Sequence, residues 1–308
     1  MIVDPVEVFK TQTYPLIPTS TASPTFTPLP TVIPHLPEVQ EIGHSGKVTL
    51  WVVFVIFLIS SAAFAGLSWR VPVSRRLYHT ITTLITIIAT LSYFALATGH
   101  GASWNKIVVT EKHEHVPDTY KTIYRQVFWA RYVDWALTTP LLLLDLSLIA
   151  GLSGAYILMA IIADVIMVLT GLFAAFGTEG TPQKWGWFAM ALIAYLVVIW
   201  HLVVNGRASA RAKGDKASKF FLSIMGFTLI LWTIYPIVWG VAEGGRHASV
   251  NTEVIIYAVV DILAKTVFGA WLLLTHAKLP EIGIETGGFW TNGIGAGEGR
   301  VRLDDDEP

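Results

Sequence analysis

From residue 48 onward the chain alternates long apolar blocks with short polar ones. Seven blocks stand out, near 48–69, 78–98, 126–146, 149–172, 186–205, 220–241 and 253–276. Each has about 20 residues or more, enough at ~1.5 Å of rise per residue to cross a hydrocarbon core of roughly 30 Å. Pro140 and Pro236 fall inside two of them, and membrane helices tolerate this where neighbours re-satisfy the freed carbonyl. The pattern predicts an all-α membrane protein, a seven-transmembrane-helix bundle over residues 48–278. Ahead of it, residues 1–47 carry eight of the fifteen prolines and ten Ser or Thr. Such a stretch buries too little apolar surface to offset its ordering entropy, so it reads as an extended, largely disordered tail. Residues 279–308 read as a second, acidic tail ending in DDDEP.

Composition sharpens the class. Hydrophobic residues make up 53% and charged residues 14% of the chain, against about 25% charged in ordinary soluble domains. The net charge of -1 offers no field for nucleic acid. No cysteine is present, which excludes disulfides, thiolate catalysis and thiolate metal sites. His113 and His115 have a spacing that could hold a metal, but in an exposed loop they read as solvated, and no metal is expected. The first residues lack a basic region followed by an apolar one, so the first helix is expected to do the targeting. A multi-pass protein of the plasma membrane, with the bilayer as its permanent partner, is the expectation.

Basic residues set the orientation. Arg70, Arg75 and Arg76 mark one loop, and Arg207, Arg211, Lys213, Lys216 and Lys219 another on the same face. The short loops of the opposite face hold only Lys184 and Arg246, and the first 47 residues only two basic groups. The N-terminus is therefore expected outside and the C-terminal tail in the cytoplasm.

Deep inside the blocks, charge is confined to a few places: Arg131, Asp134 and Asp145 on the third helix, Asp164 on the fourth, Asp261 and Lys265 on the seventh. A charge at that depth costs at least a few kcal/mol, so function is the default reading. Lys265 and Asp261 are four apart and share a face. A buried amine beside an acid suits a Schiff base with an aldehyde. Asp134 and Asp145 are eleven apart, about three turns and ~16 Å along one face. With the N-terminus outside, Arg131, Asp134 and Asp261 lie on the outer side of the lysine and Asp145 alone on the inner side. Asp145, in LLLLDLSLIAGL, is expected to stay protonated, and Asp134 and Asp261 to stay ionised; acids held apart in this way suit a donor and an acceptor.

ARYVDWALTTPLLLLD (130–145) closely resembles the third helix of bacteriorhodopsin-type microbial rhodopsins. WTIYPIVW (232–239) resembles their sixth helix and DILAK (261–265) their seventh. The Pro/Thr-rich tail, the ITTLITIIATLSYFALATGHG segment and the long second loop resemble the fungal branch, above all its proton-pumping members. The resemblance implies all-trans retinal bound to Lys265 as a protonated Schiff base, with Asp134 as proton acceptor and Asp261 as second counterion. It implies Arg131 as a switch, Asp145 as cytoplasmic donor with Thr82 as its partner, and Glu243 and Glu253 as proton-release groups. Tyr93 and Tyr235 would hold Asp261. Trp135, Thr138, Thr139, Asp164, Met167, Gly171, Trp232 and Trp239 would line or brace the chromophore. Trp185 and Trp187 both remain open as the helix-five aromatic beside the ring.

The implied function is a light-driven outward proton pump, an ion translocase rather than a chemical catalyst, with retinal and protons as partners and homo-oligomerisation left open. The alternative is a sensory photoreceptor of the same fold signalling through a partner; a carboxylate at 145 argues against it. A ligand-activated receptor is disfavoured by the lysine motif and the very short loop after helix three. A non-photochemical chaperone on this fold would lack the lysine, and a chloride pump would call for a neutral residue at 134.

Overall fold

In the computed structural model the described residues are 36–279, apart from 115–116, 179–180 and the side chain of Ser74. Most of the expected N-terminal tail, nearly all of the C-terminal one, and His115 lie outside them. Among the described residues, seven helices are long and apolar enough to cross a membrane: α1 (His44–Ser68), α2 (Leu77–Ala97), α3 (Trp129–Ala150), α4 (Gly154–Ala175), α5 (Pro182–Ala212), α6 (Asp215–Gly244) and α7 (Val250–Lys278). Neighbours in sequence pack side by side from α1 to α5, and α1 closes the ring against α7.

The burial pattern inverts that of a soluble bundle. Leu58, Ile59, Leu91, Ile193, Leu196 and Ile230 are exposed, while Arg131, Asp134, Asp145, Asp164, Asp261 and Lys265 are buried. Apolar side chains face outward and the ionisable ones face the bundle interior, because lipid offers an ion neither hydration nor a hydrogen bond.

Gly151 ends α3 in the left-handed conformation at φ 74°. Its N–H and that of Leu152 bond back to Leu148 and Ser147, so the chain reverses into α4 within a few residues, a turn that suits glycine. Three helices contain a widened π turn, at His201–Gly206 in α5, Gly240–Gly244 in α6 and Ile262–Val267 in α7. The last holds Lys265. Pro236 lies one turn before the α6 distortion, where its missing N–H weakens the ladder.

The long second loop is a β-hairpin. Strand β2 (Ser103–Glu111) runs antiparallel to β3 (Thr119–Val127), with Ile107 opposite Ile123. A further strand, β1 (Glu38–Gln40), pairs in parallel with β3 and makes it the central strand. The structured chain thus begins earlier than residue 48: the final part of the expected tail supplies β1 and the first turn of α1. Asn251 at the start of α7 secures this entry, its Oδ1 accepting from the N–H of Gly43 at 2.9 Å and of Gly46 at 3.3 Å.

Candidate functional site

Lys265 sits in the π turn of α7, 2% exposed, with its ammonium against Asp134 of α3 and 3.4 Å from Asp261 Oδ1, one turn back on α7. One cation between two carboxylates leaves one net negative charge, which must be held by dipoles. The phenols supply them: Tyr93 donates to Asp261 Oδ2 and Tyr235 to Oδ1, both at 2.6 Å, and the Trp135 indole N–H lies 3.3 Å from Oδ1. Both oxygens of Asp261 are thus occupied by phenolic donors.

From Lys265 a cavity runs between α3, α4, α5 and α6. Trp135, Thr139, Leu142, Met167, Gly171, Phe188, Trp232, Tyr235, Pro236 and Trp239 are among its walls. Thr138, Asp164 and Tyr93 are close by but do not line it. Thr138 donates to the Asp134 carbonyl at 2.8 Å, and Thr139 ties α3 to Asp164 Oδ2 of α4 at 2.6 Å. The helix-five aromatic is neither of the two tryptophans expected. Phe188 lines the cavity and stacks on Trp239 with ring centroids 4.4 Å apart, while Trp185 is about half exposed. The spacing WGWF offers three aromatics within four positions, and only the helix rotation selects among them.

An apolar cavity walled by flat rings and lined by the Lys265 amine fits a conjugated polyene aldehyde such as retinal. Lys265 would hold it covalently, with Trp135, Trp232, Tyr235, Trp239 and Phe188 confining the chain and ring.

The two ends of the bundle differ. Toward the end opposite the hairpin, Asp145 is fully buried among Leu142, Leu143 and Leu146. Neither of its oxygens has a hydrogen-bond partner among the described residues. A bare carboxylate there would bear the full cost of desolvation. Thr82 does not bond to it: its hydroxyl donates back to the Tyr78 carbonyl at 2.8 Å, because a helical threonine reaches its own preceding turn more easily than a neighbouring helix.

Toward the hairpin end lies a dense ionic cluster. Arg131 turns away from the lysine, donating to Glu253 Oε1 at 3.0 Å and lying 3.9 Å from Glu243 Oε1. Its guanidinium stacks over Tyr257 at 4.3 Å. Glu243 accepts from the Tyr132 hydroxyl at 2.6 Å, and that hydroxyl accepts from the Trp239 indole at 2.9 Å. Both glutamates are buried, unlike solvated helix-end acids. Two cations escaped the sequence reading. Lys184, which looked like a loop residue, is buried and donates to the Glu243 carbonyl at 2.7 Å. Arg125 of β3 is buried against Glu253. The alternation Ile123, Arg125, Val127 carried the signal, since residues two apart in a strand share a face.

Comparison with known proteins places this geometry. Residues 44–279 match the family described as bacteriorhodopsin-like protein. The chain is 54% identical over 281 residues to Opsin-1 of Neurospora crassa, covering 91% of this chain and 92% of that one. It superimposes on the light-driven proton pump LR (Mac) from Leptosphaeria maculans with a TM-score of 0.78 and 66% identity, covering 80% of this chain and 100% of that one. The light-driven proton pump rhodopsin of Coccomyxa subellipsoidea matches with a TM-score of 0.69 and 37% identity, covering 77% of this chain and 100% of that one.

Proposed function

Because the chain belongs to the bacteriorhodopsin-like family, we propose that it is a light-driven proton pump that carries all-trans retinal on Lys265 and moves protons outward. Retinal, bound through a Schiff base, supplies a light-driven isomerisation that changes the orientation and proton affinity of the Lys265 nitrogen. The polypeptide gives that change a direction.

The observation that carries the reading is the asymmetry about Lys265. On the hairpin side its nitrogen meets Asp134, and the path continues through Arg131 to Glu243 and Glu253. On the other side stands Asp145, whose oxygens have no hydrogen-bond partner among the described residues. Asp134 is placed to take a proton from the nitrogen. Asp261, held by Tyr93 and Tyr235, stays ionised and keeps the site's charge balanced while Asp134 is neutral. Arg131 responds to the loss of negative charge at Asp134 through its link to the outer glutamates, from which a proton departs. Asp145, neutral in its leucine-lined surroundings, then returns a proton to the nitrogen from the opposite side. The basic loops preceding α2 and α6 support a cytoplasmic position for that opposite side, and with it a net transport that runs outward.

The test is illumination of intact cells in unbuffered medium, expressing the protein with retinal. The medium should acidify under light, and a protonophore should abolish the signal. A photocycling pigment that produces no pH change would favour the sensory alternative.

A further inference from the structure

The outer ionic cluster contains a guanidinium that comes from the hairpin and not from a membrane helix. Arg125 is 3% exposed. Its Nη2 lies 2.8 Å from Glu253 Oε2, and its Nη1 donates to Gln40 Oε1 at 2.8 Å. The other Glu253 oxygen, Oε1, is taken by Arg131. Each oxygen of this buried carboxylate therefore faces its own cation. A proton on Glu253 would have to displace one of two charge-assisted bonds and leave a guanidinium uncompensated.

Glu243 is placed differently. Oε2 accepts one phenolic hydrogen bond and Oε1 stands 3.9 Å from Arg131. The other groups facing it are Lys184, which bonds its main-chain carbonyl, and Tyr257, packed on Arg131. No side-chain cation is in hydrogen-bond contact with the Glu243 carboxyl among the described residues.

We propose, resting on the pump reading above, that Arg125 is a positioning residue for outward release: it pins Glu253 as a permanent carboxylate and so confines the exchangeable outer proton to Glu243. Of the two glutamates expected to act in release, one carries the proton and the other carries fixed charge. Gln40 of β1 and the pairing of β1 with β3 hold the Arg125 head in place, so the strand preceding the first helix becomes part of the release apparatus. With Arg125 absent, Arg131 alone would face two carboxylates. The pair would then share a proton and hold it more firmly.

Light-flash pH transients, read with a soluble dye on the full chain reconstituted with retinal, test this across a pH series. In Arg125→Gln the pH at which outward release is half lost should rise by about one unit or more, the effect of removing one adjacent charge. Arg125→Lys should remain near the wild type. An unchanged midpoint in Arg125→Gln, or an equal shift in Arg125→Lys, would overturn the proposal. Light-minus-dark infrared spectra test proton location without an arginine variant. The carboxylic-acid C=O band that bleaches on release should vanish in Glu243→Gln and persist in Glu253→Gln, and the reverse pattern would overturn the proposal even if Arg125→Gln failed to assemble a pigment. A wild-type pigment with no pH transient would instead contradict the pump reading, leaving the infrared assignment to decide where the proton resides.

Discussion

At the scale of single residues, function rests on one amine and the unequal surroundings of the acids near it. Lys265→Ala should leave a folded apoprotein with no visible band on adding retinal, as measured by absorption spectroscopy; a band retained by this variant would rule out covalent attachment there. Asp134→Asn should stop pumping and move the band to longer wavelength, because the positive charge at the nitrogen loses its contact anion. Acidifying the wild type should move the band the same way as Asp134 takes up a proton. Asp145→Asn keeps size and polarity but has no proton to give. Proton uptake after a flash should then slow at least about a hundredfold, the low end of what a placed proton-transfer group contributes, with partial rescue by azide; uptake at the wild-type rate would make Asp145 a tolerated buried acid. These residues were legible in the sequence because a charge in an apolar block is conspicuous. Thr82, Phe188 and Arg125 were not, since their roles depend on which way a hydroxyl, a ring or a strand face turns.

At the scale of elements, the apolar blocks marked the helices but not their distortions. The π turn that carries Lys265 has the same residue types as regular helix on either side, so composition holds no trace of it; such turns recur at functional sites. The hairpin was obscured for another reason. Its strands carry the loop's charges, which a hydropathy reading assigns to solvent, while period-two alternation places Ile107, Ile123 and Val127 inward. Helix ends also moved: α1 begins at His44 because Asn251 caps its entry. Asn251→Ala removes the acceptor for two main-chain N–H groups, a loss of about 1–3 kcal/mol if they stay buried. Its pigment should bleach at a lower temperature than the wild type while pumping at the same initial rate. An unchanged bleaching temperature would show that the strand pairing alone secures the N-terminal segment.

At the scale of the molecule, seven spans enclose an asymmetric interior: one half holds Asp145 among leucines, and the other is crowded with arginines, carboxylates and phenols. The bundle was readable because span length is dictated by the bilayer, while its sidedness is an expectation drawn from the basic loops that mark one face. The ionic cluster at the hairpin end was only half readable, since two of its cations lie outside the apolar blocks. The directional claim is tested most directly by photocurrent at zero membrane potential and symmetric pH, with the chain expressed in a voltage-clamped cell. A stationary outward current is expected, lasting as long as the light and unchanged when chloride and sodium are replaced. A current that decays to zero under continuous light, or one that runs inward, would contradict it.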